Sequence, residues 1–233
     1  MEFFETIQTR RSVRRYTKTP VPDEVIQKAL DAALLAPNSS NMQPWEFYWV
    51  RTPEKKAKLV EACLSQGAAR TAPHLVVAVA RMDTWRRNRK LMLEHIKNDP
   101  TASKQVVAYY EKLIPMVYSS GPFNILGHIK TVFAFFTGLF RPIPRGPATR
   151  EDNFDVVVKT TALACENFML ACTAQGYGTC AMEGFDEWRV RNLLGLSHCH
   201  ARVVMVISVG ETDPKGVFGE RVRFDRDLFI HEV

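Results

Sequence analysis

The sequence predicts a sheet covered by helices, and three observations carry that reading. HLVVAVA (74–80) is a continuous apolar run of the kind a buried central strand shows, and ARVVMVISVG (201–210) is a second clear central strand. EFYWV (46–50) is a shorter strand by its aromatic and β-branched content. Between these lie segments whose apolar residues recur at helical spacing, and strands separated by helices argue for a helix-covered sheet.

In chain order, residues 2–9 read as a short helix running into RRSVRRY (10–16). Pro20 and Pro22 punctuate the chain, and Asp23 can cap a helix whose apolar face is Val25, Ile26, Ala29, Leu30, Ala33 and Leu34. Pro37 ends it, and the polar loop NSSNMQP leads to the first strand. Residues 53–65 form a charged amphipathic helix, and residues 84 to about 118 look helical. Residues 119–153 read as irregular, with SSGP, RPIPRGP and TRED around an apolar 125–140 segment; so long an excursion suits a lid or binding element. FDVVVKTTALACENFMLACTAQ (154–175) is a long, mostly apolar helix with Gly176 as its cap. A short strand near 179–182 and a helix at 186–193 precede the last strand, and residues 211–233 have no core pattern of their own.

At 233 residues the chain can bury a substantial core as one large domain or two small ones. With 46% hydrophobic and 24% charged residues it is neither disordered nor fibrous. The five cysteines, odd in number and without CxxC, argue against a disulfide framework or zinc ribbon and predict reduced, buried thiols. MEFFETIQTRR is not a signal peptide, so a cytoplasmic location is expected. TVFAFFTGLF (131–140) is too short to span a bilayer; it suits a buried helix, a lid or a membrane-surface segment.

The formal charge of +6 favours anionic partners, and Arg10, Arg11, Arg14 and Arg15 concentrate it near the N-terminus. A nucleic-acid backbone, a membrane surface and a bound phosphate all suit such a cluster. No binding motif or interleaved aromatics support nucleic acid. GYG (176–178) follows a helix and not a strand, which argues against a dinucleotide fingerprint. Walker A, GxSxG and HExxH are absent, and in His198-Cys199-His200 adjacent side chains of an extended chain diverge, so no metal is expected. Without a nucleophile–base signature, a bound cofactor is the economical source of reactivity.

Three stretches then fall into register: RRSVR (10–14), PNSSNMQPW (37–45) and MEGFD (182–186), with R221-V222-R223 near the C-terminus. In that order and spacing they resemble the FMN-dependent nitroreductase family over residues 2–233, least so in 84–150. The resemblance implies an α+β fold, a central, mainly antiparallel sheet flanked by helices, assembled as an intertwined homodimer with FMN at the interface. It implies that Arg10, Arg221 and Arg223 hold the FMN phosphate through paired donors, with Ser12 on the phosphate or ribityl chain. Arg14 then stands at the pyrimidine edge, where a cation stabilises the reduced flavin. Arg11 contributes largely through its backbone, and Arg15 is a solvated surface residue. Pro37, Asn38, Ser39, Asn41 and Gln43 reach the flavin from the neighbouring subunit, while Trp45 packs in the core. Gln66 and Arg70 match an amide and a basic residue for the pyrimidine. Met182, Glu183 and Gly184 supply backbone near N5, and Gly184 permits close approach. Ala181 replaces the proline usual two residues before that glutamate.

The implied reaction takes hydride from NADH or NADPH and delivers electrons to a nitroaromatic, quinone or similar small-molecule oxidant by a ping-pong mechanism. Reductive dehalogenation and flavin or ring oxidation are rival chemistries on the same scaffold. The resemblance also implies one domain, a lid or helical excursion at about 84–150, and a tail at 211–233 that crosses to the partner. The long apolar helix would lie in the dimer interface. Peripheral membrane attachment through 125–145 is a further alternative that could coexist with flavin chemistry.

Overall fold

The computed structural model describes residues 1–233. Its elements in chain order are α1 (Phe3–Thr9), α2 (Asp23–Leu34), β1 (Trp45–Val50), α3 (Pro53–Ala62), α4 (Gly67–Thr71), β2 (His74–Arg81), α5 (Trp85–Lys97), α6 (Lys104–Ala108), α7 (Ile114–Tyr118), α8 (Ile125–Thr137), α9 (Arg150–Ala174), β3 (Gly178–Met182), α10 (Glu187–Leu194) and β4 (Ala201–Gly210). The four strands form one sheet in the order β1-β2-β4-β3, and all three pairings are antiparallel. The two apolar runs thus occupy the two central positions, where both faces are covered. The fold is α+β, with helices on both sides of an antiparallel sheet, as expected.

Side chains alternate between two cores with the period of two that a pleated strand imposes. Leu75, Val77 and Val79 face one side, with Leu59 of α3, Ala69 of α4 and Val190 of α10. Val76 and Ala78 face the other, with Ile26 and Ala29 of α2 and Ala164, Phe168 and Cys172 of α9. In β4 the alternation breaks: Val203 and Val206 share the first side, while Met205, Ile207 and Val209 share the second. The register shifts between Ala78 and Val79, and the extra residue of this bulge moves the pattern by one. A third core joins α5, α7 and the start of α9 through Trp85, Ile114, Phe154 and Val157.

Two boundaries differ from the sequence reading. First, α9 begins at Arg150, four residues earlier than expected. Thr149 accepts from the Asp152 amide at 3.1 Å, and the Asp152 carboxylate accepts from the Thr149 amide at 2.9 Å, which is a capping box. Second, the apolar part of the supposedly irregular 119–153 stretch is a regular helix, α8, of 13 residues. By length and composition α9 could cross a membrane, but half of its most apolar window is buried inside the fold, where it supplies core side chains.

The cysteine expectation needs one correction. Cys63, Cys165, Cys172 and Cys180 are buried free thiols, but Cys199 is exposed, because it lies in the turn before β4. No group of three or more His, Cys, Asp or Glu residues forms a metal-binding cluster.

Candidate functional site

RRSVRRY runs along the free edge of β3. Ser12 forms a parallel bridge with Thr179, and the Val13 amide donates to the Thr179 carbonyl at 2.9 Å. The turn after β4 holds the other side of the stretch. The Arg14 amide donates to the Gly216 carbonyl at 2.7 Å, and Tyr16 bridges to Thr212. Val13 and Tyr16 are buried, and the Tyr16 hydroxyl is 2.8 Å from that of Ser208. Anchoring those two side chains inward turns the arginines between and around them outward. Four charged residues can therefore crowd one edge without burying a charge.

The C-terminal segment brings two more cations to the same place. The Arg221 guanidinium donates to the carbonyl of Arg10 and, at 3.2 Å, to that of Ile7. Arg11 donates to the Gly219 carbonyl at 2.9 Å. Its side chain thus ties the tail to its own chain, a role in addition to the backbone one expected. Partial burial, and then the charges of Arg223, Arg11 and Arg10, pull the Arg221 pKa below its ordinary value. One carboxylate approaches: Glu166 of α9 lies 3.7 Å from Arg10. Four guanidinium groups against one acid leave an excess of positive charge that an anion would neutralise. An open cavity of ≈ 280 Å³ adjoins this cluster, with Arg10, Arg11, Val13 and Gly178 in its wall. Arg15, expected to be solvated, is exposed yet pairs with Asp213 at 3.2 Å.

Arg14 lies on the same edge and is exposed. Its guanidinium stands 5.5 Å from the Phe218 ring centre, a cation–π contact. Together with Arg10 it lowers the pKa of the Cys180 thiol, although burial outweighs them and the net shift is upward. The Gln66 side chain donates to the Gly184 carbonyl at 2.6 Å and to that of Cys63 at 3.0 Å. The turn after β3 is thereby fastened to the start of α4. Glu183 and Gly184 are exposed, and Met182 is buried beneath them. Arg70 is exposed one helical turn beyond Gln66, on the same side of α4. Gly67, which the sequence reading passed over, closes the arrangement: a β-carbon there would lie 2.9 Å from the Arg14 carbonyl oxygen. Its only sequence signal is its place beside Gln66.

The second predicted stretch lies elsewhere. Pro37, Asn38, Ser39, Asn41 and Gln43 lie in a self-bonded loop before β1, in which the Asn38 side-chain Oδ1 accepts from the Gln43 main-chain amide at 2.8 Å and the Asn38 side-chain Nδ2 donates to Asn41 Oδ1 at 3.4 Å. Asn88 of α5 clamps the loop by donating to the carbonyls of Met42 and Gln43 at 2.7 and 3.1 Å. Trp45 is buried in the core, as expected. Asn41 and Gln43 line a separate open cavity of ≈ 300 Å³. β1 and β3 are opposite edges of the sheet, about 14 Å apart at three strand spacings. Trp45 is in register with Ala80 and Thr179, through Val209, with His74, which adds about 20 Å along the strands. One chain therefore does not bring this loop to its own arginines.

The profile of the nitroreductase family matches residues 7–211. The chain is 26% identical to an NADH dehydrogenase of Thermus thermophilus over 224 residues, covering 93% of this chain and 90% of that one. It is also 26% identical over 226 residues, 96% and 95% of the two chains, to YdgI of Bacillus subtilis, a protein assigned as an NAD(P)H nitroreductase. A crystal structure of a protein assigned as a nitroreductase, in complex with FMN, from Exiguobacterium sibiricum is similar in fold, with a TM-score of 0.68 at 22% identity over 100% and 98% of the chains. With both the fold and a profile that spans all four strands, the chain belongs to the nitroreductase family.

Proposed function

We propose that the protein is an FMN-dependent oxidoreductase that draws on NADH or NADPH and reduces electrophilic small molecules, with nitroaromatics and quinones as the substrate classes. The observation that carries this is the arginine cluster on the β3 edge: main-chain hydrogen bonds bring Arg10, Arg11 and Arg221 together, and Arg223 is near enough for its charge to act on Arg221, with one carboxylate among them. That surplus fits a dianionic phosphate, for which guanidinium forks are suited. Arg10, Arg221 and Arg223 would take the phosphate, with Ser12 beside them. Arg14, Gln66 and Arg70 would face the pyrimidine edge. The exposed turn at Glu183 and Gly184 would offer backbone to the ring, since Gly184 leaves ordinary contact room above it, Gln66 Nε2 being 3.5 Å from where a β-carbon would stand.

When bound, FMN supplies the two-electron redox chemistry. The chain's task is to orient the cofactor, to set a cation at its electron-rich edge, and to leave one face open to small molecules. A donor that leaves before the oxidant enters gives ping-pong kinetics. The same reading calls for a homodimer. The loop Pro37, Asn38, Ser39, Asn41 and Gln43 is far from its own arginines, so a second copy would have to supply it. Exposed Phe3 and Phe4, Leu34 and Leu35, and Phe224 and Phe229 are the apolar surface that such a partner would cover.

The test is direct. The purified protein should carry or take up FMN, and its flavin absorbance should bleach with NADH or NADPH. Reciprocal plots against nitroaromatic or quinone should be parallel. A colourless protein that binds no added FMN overturns the proposal, and intersecting plots overturn its ping-pong part.

A further inference from the structure

Helix α8 is mounted with its large residues outward. Ile125, Leu126, Ile129, Val132, Phe133 and Phe136 fall on an arc of about 120° at the helical repeat, and each is between 40% and 62% exposed. Phe135 lies off this arc yet is also exposed, and the buried residues of the opposite side are small. Gly127 and Ala134 are buried, and a β-carbon at Gly127 would stand 3.0 Å from the Ala148 carbonyl oxygen. Lys130 ties the inward side down by donating to the carbonyls of Ser119 and, at 3.4 Å, Val117. A helix of a water-soluble body ordinarily presents its large apolar residues to the core. Phe123 and Phe140, just before and just beyond the helix, are 95% and 87% exposed and lengthen the apolar surface.

The charge around this face has one sign. From Lys112 to Arg150 there is no Asp or Glu, while Lys112, Lys130, Arg141, Arg145 and Arg150 are basic. Arg141 and Arg145 are exposed at the C-terminal end of α8. At 13 residues α8 is too short to cross a bilayer, which needs about 20. A short helix with a wide apolar face and basic flanks suits the headgroup–acyl boundary of an anionic bilayer. A second copy docked face to face on α8 would instead bring two such cationic segments together with no acid between them. Nor does α8 cover the arginine cluster of its own chain. Gly127 packs at the start of α9, whereas Thr173, at its other end, lines the cavity beside Arg10, roughly 35 Å away.

We propose that α8, with Phe123 and Phe140, is an interfacial anchor that seats the protein on an anionic lipid surface. This inference is independent of the FMN reading, because it concerns a different face and a binding event with no redox readout.

The experiment is co-sedimentation of the full chain with vesicles of phosphatidylcholine alone or mixed with phosphatidylglycerol. The native protein should bind the mixed vesicles, at least tenfold more weakly the neutral ones, and less as salt rises. Phe133→Ser/Phe136→Ser and, separately, Arg141→Glu/Arg145→Glu should each weaken binding about tenfold or more, with unchanged circular dichroism. Both pairs are at the surface, so they leave the core intact. Absence of native binding at low salt, or unaltered binding by both variants, overturns the anchor. So does loss of dimer in the Phe133→Ser/Phe136→Ser protein without native vesicle binding, which would make the face a contact between copies. A raised KM for a bulky quinone in that variant, again without vesicle binding, would make α8 a lid.

Discussion

Gly67→Ala turns the close approach in the candidate site into a change of sign. Gly67 is the first residue of α4, and its φ does not lie in the left-handed region. On backbone grounds alone, alanine should therefore stabilise the protein by about 0.4–1 kcal/mol, through the lost entropy of the unfolded chain. The packing opposes this. The new methyl carbon would stand 2.9 Å from the Arg14 carbonyl oxygen, where 3.4 Å already marks tight contact. The obstacle is backbone, and that backbone is fixed by the Arg14–Gly216 hydrogen bond at 2.7 Å and the buried Val13 and Tyr16 on either side. Relief requires a shift of about 0.5 Å of the arginine-bearing strand, at a cost of about 1–3 kcal/mol typical of overpacking. The net expectation is destabilisation by about 1–2 kcal/mol, with FMN affinity falling about tenfold because Arg10, Ser12 and Arg14 move together. Urea denaturation of the apoprotein reads the first quantity, and FMN fluorescence titration reads the second. A variant that is more stable than the native protein and binds FMN equally well would refute the role given to this contact.

Other outcomes follow from the same geometry. Arg14→Ala should retain FMN but make it harder to reduce, by about 30 mV for each 1.4 kcal/mol of lost preference. Arg221→Ala and Arg223→Ala should instead weaken FMN binding about ten- to hundredfold; redox titration and binding titration separate the two, and equal effects on both would refute the division. Phe168→Ala should cost about 3–5 kcal/mol in urea denaturation, because Phe168 is fully buried between α9 and the sheet. A thiol reagent at neutral pH should label one cysteine, Cys199, in the native state and all five after unfolding. Burial pushes Cys165 and Cys172 up to about 12, against 9.0 for an exposed thiol. Between those values the unfolded chain has lost protons that the native chain keeps. Stability should therefore fall as pH rises from 9 to 12, by up to about 1.4 kcal/mol per pH unit for each thiol, and Cys172→Ala should flatten that slope.

The two central strands, α2 and most of α9 were legible because burial on both faces, or on one helical stripe, writes itself into a local pattern. The start of α9 was equally local, in the Thr149–Asp152 box, but RPIPRGP masked it. Helix α8 was legible only as an apolar segment suited equally to a buried helix, a lid or a membrane surface, and only the packing of Gly127 and Ala134 shows which side faces in. The bulge in β4 left no mark, because Val203 through Ile207, the residues around it, are apolar whichever way they point.

By itself, the sequence determined the strands, the principal helices, the chemical character of the arginine cluster and, through four short stretches, the family. The resemblance already grouped Arg10, Arg221 and Arg223, but only the tertiary structure shows how they are held together and that Arg11 ties the same segments. Arg221 lies beside Arg10 because the turn after β4 folds back on the RRSVRRY segment, a contact more than two hundred residues apart in the chain. The tertiary structure also placed Pro37 to Gln43 at the far corner of the sheet, since the order β1-β2-β4-β3 puts their strand on the opposite edge. Local pattern records what each residue prefers to be near; the sheet order determines what it is near, and no short stretch encodes that.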